Sequence, residues 1–193
     1  MASELIVQTI QGPSSGANAN KVLIPSGHTL DASTGFIPPA GHVINTQQVY
    51  FGDSTALTAS NTYIACTGSD CVITAKLSNS KFLVRVHITV YLSGSGKPAN
   101  VGIYRDTTLI AGTSGTGGDA WAGAWNFGTT PSSTLTSDSA VIVREYLDSP
   151  SVAAGTSLTY KAALGAWGGT GTVTANYPGY SNKSSITVME IAQ

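Results

Sequence analysis

The run Lys81 to Leu92, KFLVRVHITVYL, alternates without a break: Phe82, Val84, Val86, Ile88, Val90 and Leu92 fall on one side of an extended chain, Leu83, Arg85, His87, Thr89 and Tyr91 on the other. A period of two marks a strand with one dry face, because wound at 3.6 residues per turn the same residues would scatter round the axis. One dry face demands a sheet and a second layer over it. From about His42 onward short β-rich runs alternate with clusters of Gly, Ser, Asn and Asp, and no stretch keeps a helical period over a helix's length. Further strands are expected at Val43–Phe51, Tyr63–Ala65, Val72–Leu77, Asn100–Arg105, Thr107–Ala111, Ala140–Leu147, Ser157–Leu164, Thr172–Tyr177 and Ser184–Ile191, with a tight connection at Arg105-Asp106-Thr107. Gly112–Thr136 is the least regular part, with one strand expected around Trp121–Phe127. Short strands in this number predict an all-β chain, a two-sheet sandwich or jelly roll, since an open α/β sheet would need crossover helices.

The first forty residues differ in kind. Gly12-Pro13-Ser14-Ser15-Gly16, Pro25, Pro38 and Pro39 punctuate them, leaving only the apolar clusters Leu5-Ile6-Val7, Val22-Leu23-Ile24 and Phe36-Ile37. These clusters are too small to make a core, so residues 1–40 read as an extended attachment arm and 41–193 as the β domain.

Charge narrows the partners. Only 10% of residues are Asp, Glu, Lys or Arg and the formal net charge is -1, which leaves no basic field for nucleic acid. A polar, nearly uncharged surface is poorly protected against association, as fits a protein covered by copies of itself or by partners. No apolar run reaches the roughly 20 residues of a membrane span, and MASELIVQTI lacks the basic start and apolar centre of a signal peptide. The expectation is a soluble chain made in the cytoplasm, without membrane or cofactor.

The chemical motifs are thin. Gly12-Pro13-Ser14-Ser15-Gly16 matches G-x-S-x-G in letters but lacks the strand before and helix after that would strain Ser14 outward. Gly94-Ser95-Gly96-Lys97 lacks the first glycine of a phosphate loop and has Pro98 where Ser or Thr is needed, so it reads as a turn. His28, His42 and His87 are scattered, each without a neighbouring carboxylate or Cys. Glu145 and Glu190 both lie in expected strands, which raises the paired carboxylates of glycoside hydrolysis against the plainer reading of exposed or salt-bridged strand glutamates. Cys66 and Cys71 bracket Thr-Gly-Ser-Asp, placed to close a tight hairpin by a disulfide or to flank a turn as reduced thiols. They supply too few ligands for a metal. Trp121, Trp125 and Trp167, with Tyr177 and Tyr180, sit in Gly-rich surroundings where they could stack on a glycan, anchor an interface or pack inward.

Several blocks carry a resemblance. Val101-Gly102-Ile103-Tyr104-Arg105-Asp106 with Thr108-Leu109-Ile110, then Tyr146-Leu147-Asp148-Ser149-Pro150-Ser151, Thr159-Tyr160-Lys161 and the ending Ser185-Ile186-Thr187-Val188-Met189-Glu190-Ile191, together with Lys21–Ser33 (KVLIPSGHTLDAS), resemble a family of tailed-phage virion proteins abundant in phages of cyanobacteria and other aquatic bacteria. The resemblance implies a homotrimeric jelly roll similar to the tumour-necrosis-factor and complement globular-head folds, with no catalytic residues. Related domains serve as capsid decoration or cement proteins, head fibres and tail-fibre tips. This chain shows no repetitive shaft, and forty extended residues reach only about 3.3–3.6 Å each. That favours a non-enzymatic decoration or cement protein on the outer surface of the head, with the major capsid protein or another virion protein as partner. The alternative is a short tail fibre or spike tip binding host glycan.

Overall fold

In the strand Lys81–Ser93 every even-numbered residue is buried, from Phe82 to Leu92, so the alternation that dominates the sequence is the alternation the fold uses. The structure is a computed structural model of the chain and describes residues 14–16, 26, 38–58, 62–93, 99–112, 137–166, 172–178 and 183–193. The chain divides into two units, Met1–Ile37 and Pro38–Gln193. In the first, residues 14–16 form an exposed bend with Gly16 at φ +89°; the arm residues Leu5, Ile6, Val7, Val22, Leu23, Ile24, Phe36 and Ile37 lie outside the described residues.

The second unit is built from β1 (Val43–Phe51), β2 (Thr55–Thr58), β3 (Tyr63–Ala65), β4 (Cys71–Thr74), β5 (Lys81–Ser93), β6 (Ala99–Arg105), β7 (Thr108–Ala111), β8 (Ser137–Asp148), β9 (Ser157–Ala166), β10 (Thr172–Ala175) and β11 (Ser184–Ile191), with no helix among the described residues. Several are halves of one longer strand. β1 runs along β11 and β2 along β10, while β10 and β11 follow one another along the same side of β5. β3 and β4 likewise follow one another along β9. Merging each interrupted pair and numbering the resulting positions along the chain, one sheet runs 1-8-3-6 and the other 2-7-4-5, antiparallel throughout. First pairs with last, second with seventh, third with sixth and fourth with fifth, the nested winding of a jelly roll.

Between the sheets the inner residues of β5 and β11 (Phe82, Val84, Val86, Ile88, Ile186, Val188) meet Ile73, Ile103, Leu158, Tyr160 and Leu164, all buried. Each fully buried side chain of this size contributes roughly 1.5–3 kcal/mol by leaving water. Phe82→Ala alone would cost about 3–5 kcal/mol.

The interruptions are held by specific side chains. Asn176, buried at φ +50°, donates from Nδ2 to the carbonyls of Phe51 and Asp53 at 3.3 Å and accepts from Ser184 Oγ at 2.7 Å. Asn tolerates this left-handed backbone, and its amide stands in for ladder bonds lost where strands 1 and 8 both break. In strand 2, residues 66–70 loop out. The Cys66 N–H reaches Ala162 O at 2.8 Å, and Ser69 Oγ donates to Cys66 O at 2.7 Å. The chain leaves β9 and rejoins it in the same direction, so of the two readings at Cys66 and Cys71 the structure fits reduced thiols, here flanking a bulge in one edge strand. They are buried free thiols, not a disulfide.

Candidate functional site

The outward face of the 1-8-3-6 sheet is the most distinctive surface of the described residues. Cross-strand register sets its rows, because residues directly opposed in a ladder share a face. One row is Tyr50–Ser185–His87–Val143, the next Gln48–Thr187–Arg85–Glu145, and a third Thr46–Met189–Leu83–Leu147, with Thr89–Val141 beyond. Tyr50 is 67% exposed, Val141 55%, Leu147 49% and Val143 47%, while Leu83 and Met189 are half-buried beside them. Farther along, the Tyr177 and Tyr91 rings stack with centroids 4.1 Å apart.

Polar residues, Ser185, His87, Thr187, Thr46 and Thr89 among them, interleave with these apolar ones. Arg85 pairs with Glu145, both well exposed, so the pair adds little stability and neutralises itself. Gln48 Nε2 donates to Thr187 Oγ1 at 2.8 Å. A mixed face whose charges pair with each other can be covered by another protein without stranding an unpaired ion. The opposite sheet differs: its outward glycines Gly102 and Gly165 lie beneath the Tyr63 ring, and Tyr104 Oη donates to Tyr63 O at 2.9 Å.

The structure separates the two glutamates singled out from the sequence. Glu145 opposes Arg85 on the outward face, whereas Glu190 opposes Phe82, an inward core residue. Glu190 is fully buried, its carboxylate accepting from the Lys76 N–H at 2.8 and 3.0 Å and the Leu77 N–H at 3.1 Å. The two cannot flank one glycosidic bond. Of the histidines, His87 lies mid-face between Ser185 and Val143, and His42 is exposed with Nδ1 3.0 Å from Pro39 O; His28 lies outside the described residues. Among the described residues no group of three or more His, Cys, Asp or Glu is placed to hold a metal. Tyr177 is exposed on its stack, while Trp121, Trp125, Trp167 and Tyr180 lie outside the described residues. The outward side of β5 was legible in the alternation. The valines of β8 beside it were not, because only the fold brings residues 141–147 next to 83–89.

No protein-family model matches the chain, and no curated protein sequence matches it. Among solved structures, it is similar to the infectious bursal disease virus VP2 subviral particle at 14% identity over 94% of this chain and 46% of that one, with a TM-score of 0.40. The structure of the infectious bursal disease virus Gx strain is similar at 14% identity over 88% of this chain and 43% of that one (TM-score 0.37). Dimeric latent PorU from Porphyromonas gingivalis is similar at 10% identity over 90% of this chain and 15% of that one (TM-score 0.37). The chain thus spans less than half the length of each.

Proposed function

We propose that this chain is a structural virion protein, a decoration or cement protein that seats on a phage head as a homotrimer and stabilises it by burying surface, without catalysis. The observation that carries the reading is the outward face of the 1-8-3-6 sheet, where Leu83, Met189, Leu147, Val143, Val141 and Tyr50 gather on a chain of net charge -1. Covering these side chains would remove apolar surface from water, and copies of the chain are the partner always present. The jelly-roll winding and the resemblance of its sequence blocks to tailed-phage virion proteins support the same reading. In it, the apolar clusters of residues 1–40 supply the attachment to the major capsid protein. Binding to the assembled shell alone would stabilise the shell.

The test has two parts. Light scattering of the full chain is expected to give a trimer, and Val143→Glu with Leu147→Glu to dissociate it while circular dichroism stays unchanged. Removing Met1 to Pro39 is expected to abolish binding to capsids while leaving the domain folded. A wild-type monomer at all concentrations, or retained capsid binding by the truncated chain, overturns the reading.

One observation favours a second reading, a tail-fibre or spike tip that recognises host glycan: the exposed Tyr177 ring braced on Tyr91 is built like a stacking platform. Binding on a glycan array that Tyr177→Ala removes would support it.

A further inference from the structure

One ionisable side chain stands in the middle of the outward face of the 1-8-3-6 sheet, outside the ion pair there. His87 lies between Ser185 of β11 and Val143 of β8, with Tyr50 beyond Ser185, and it is half-buried. Few charges surround it. Its outward neighbours along β5 are Arg85 and Thr89; on β8 they are Val141 and Glu145 beside Val143, and on β11 Thr187 beside Ser185. β1 brings Tyr50 and Gln48, and β10 carries no charge. Lys183, just before β11, is exposed at the rim against Gly52. The one carboxylate of the group, Glu145, is engaged by Arg85. Among the described residues no hydrogen bond or ion pair holds the His87 ring, so water alone would solvate a proton on it.

We propose that His87 makes the contact between copies a pH switch: with the ring neutral the face is covered by other copies of the chain, and with the ring protonated the copies part. The proposal rests on the reading of this face as the homotrimer contact and adds its regulation. Its basis is the difference between the covered and the open state. On the open face water solvates the cation. Under a covering copy that water is lost, and burial disfavours the charged form of an imidazole. The separated chains therefore bind more protons than the trimer. By linkage, association is fully present where the ring is neutral in both states, and it is lost as pH falls through the range in which histidine ordinarily charges. Carboxylates, lysines and arginines ordinarily titrate outside that range, so His87 is the group on this face that answers to it. One ring per copy makes the response of a trimer steep.

Light scattering of the full chain at pH 7.5 and pH 5.5, with circular dichroism beside it, tests the switch. The wild type is expected to be a trimer at pH 7.5 and its association constant to fall by roughly a hundredfold or more at pH 5.5. The fall should reverse on neutralisation, with the dichroism unchanged throughout. His87→Gln, neutral at both values, is expected to stay trimeric at both; His87→Asn repeats the test with a shorter amide. His87→Lys, charged at both, is expected to be monomeric at both. A wild-type trimer that persists at pH 5.5, two neutral variants that still come apart there, or a trimer of His87→Lys overturns the switch and leaves the trimer reading standing. Neutral variants that both fail to assemble at pH 7.5 would make the imidazole a contact and not a switch, which overturns it as well. A wild-type monomer at pH 7.5 overturns the trimer reading itself, and the switch with it.

Discussion

The phenol of Tyr160 donates a 2.8 Å hydrogen bond to Asp148 Oδ2 across the sandwich, from β9 in one sheet to the end of β8 in the other. Arg105 Nη1 reaches both oxygens of the same carboxylate at 2.8 Å, and the Tyr160 ring lies 6.0 Å from that of Phe82, the residue opposite Asp148. Asp148 and Tyr160 are buried and Arg105 only partly exposed, so the carboxylate is the shared acceptor of two donors that water cannot fully replace.

Removing that acceptor is therefore expected to cost more than removing either donor. Asp148→Ala strands the Tyr160 hydroxyl and the guanidinium and should destabilise by about 3–5 kcal/mol. Tyr160→Phe leaves the ion pair intact and should cost about 1–2 kcal/mol. Urea midpoints of the single and double variants check this: the double variant should lose clearly less than the sum, because both substitutions act on one network.

Three resemblance blocks each supply one member of this network: Arg105 from the VGIYRD block, Asp148 from YLDSPS and Tyr160 from TYK. What those blocks carry in this fold is thus a fastening between sheets. Much of the strand order was legible, since β1, β3 and β11 have the bounds the alternation predicts. Where strands end was less so, for reasons outside local sequence. β4 stops at Thr74 because the bond to Ala75 O comes from the Gly155 N–H, out of register, and the amides of Lys76 and Leu77 go to Glu190. β10 stops at Ala175 because Asn176 turns left-handed. β2, Thr55–Thr58, is not legible because four residues after Gly52-Asp53-Ser54 carry too little alternation to read alone. The outward face of the 1-8-3-6 sheet was half legible, on β5 and not on β8.

Protons give a second prediction. Burial pushes the Cys66 thiol from 9.0 up to about 12 and Cys71 to about 11. Burial first, then the hydrogen bond to Asp148 and its charge, hold Tyr160 above the ordinary 10.0. All three keep their protons in the folded chain after the unfolded chain has released them, so stability falls as pH rises. The loss should begin near pH 9 at the thiols and steepen near pH 10 as Tyr160 joins, at about 1.4 kcal/mol per pH unit for each group. Below pH 8 these groups should contribute no slope. Urea midpoints from pH 7 to 11 measure the fall, and Cys66→Ala should flatten its onset. At neutral pH neither thiol should react with a maleimide until the chain is unfolded, and reductant should leave Tm unchanged.

A third prediction concerns Tyr63. A Cβ at Gly165 would stand 2.8 Å from Tyr63 Cε1, and one at Gly102 would stand 2.8 Å from Ala111 O. Gly165→Ala pushes on the ring, Gly102→Ala on backbone and on the same ring, 2.9 Å from Tyr63 Cδ1. Both should destabilise, by about 1–3 kcal/mol. Tyr63→Ala should recover part of the loss in both backgrounds, but less with Gly102→Ala, where the Ala111 carbonyl stays in the way. Thermal melts of the four variants distinguish these outcomes.

The buried carboxylate of Glu190 gives the last. It lies in β11 opposite Phe82 and accepts from the amides of Lys76 and Leu77 just past β4, so it pins the connection between β4 and β5 to the C-terminal strand. Glu190→Gln keeps one oxygen as acceptor but sets an amide NH₂ where the second oxygen faced an N–H, and should cost about 1–3 kcal/mol. Glu190→Ala leaves both amides without an acceptor and should cost more, with hydrogen exchange at Lys76 and Leu77 accelerating well beyond that of β5. Uniform acceleration across the domain would mean that the carboxylate matters only to global stability. Selective loss at these two amides is the outcome expected of a local clamp.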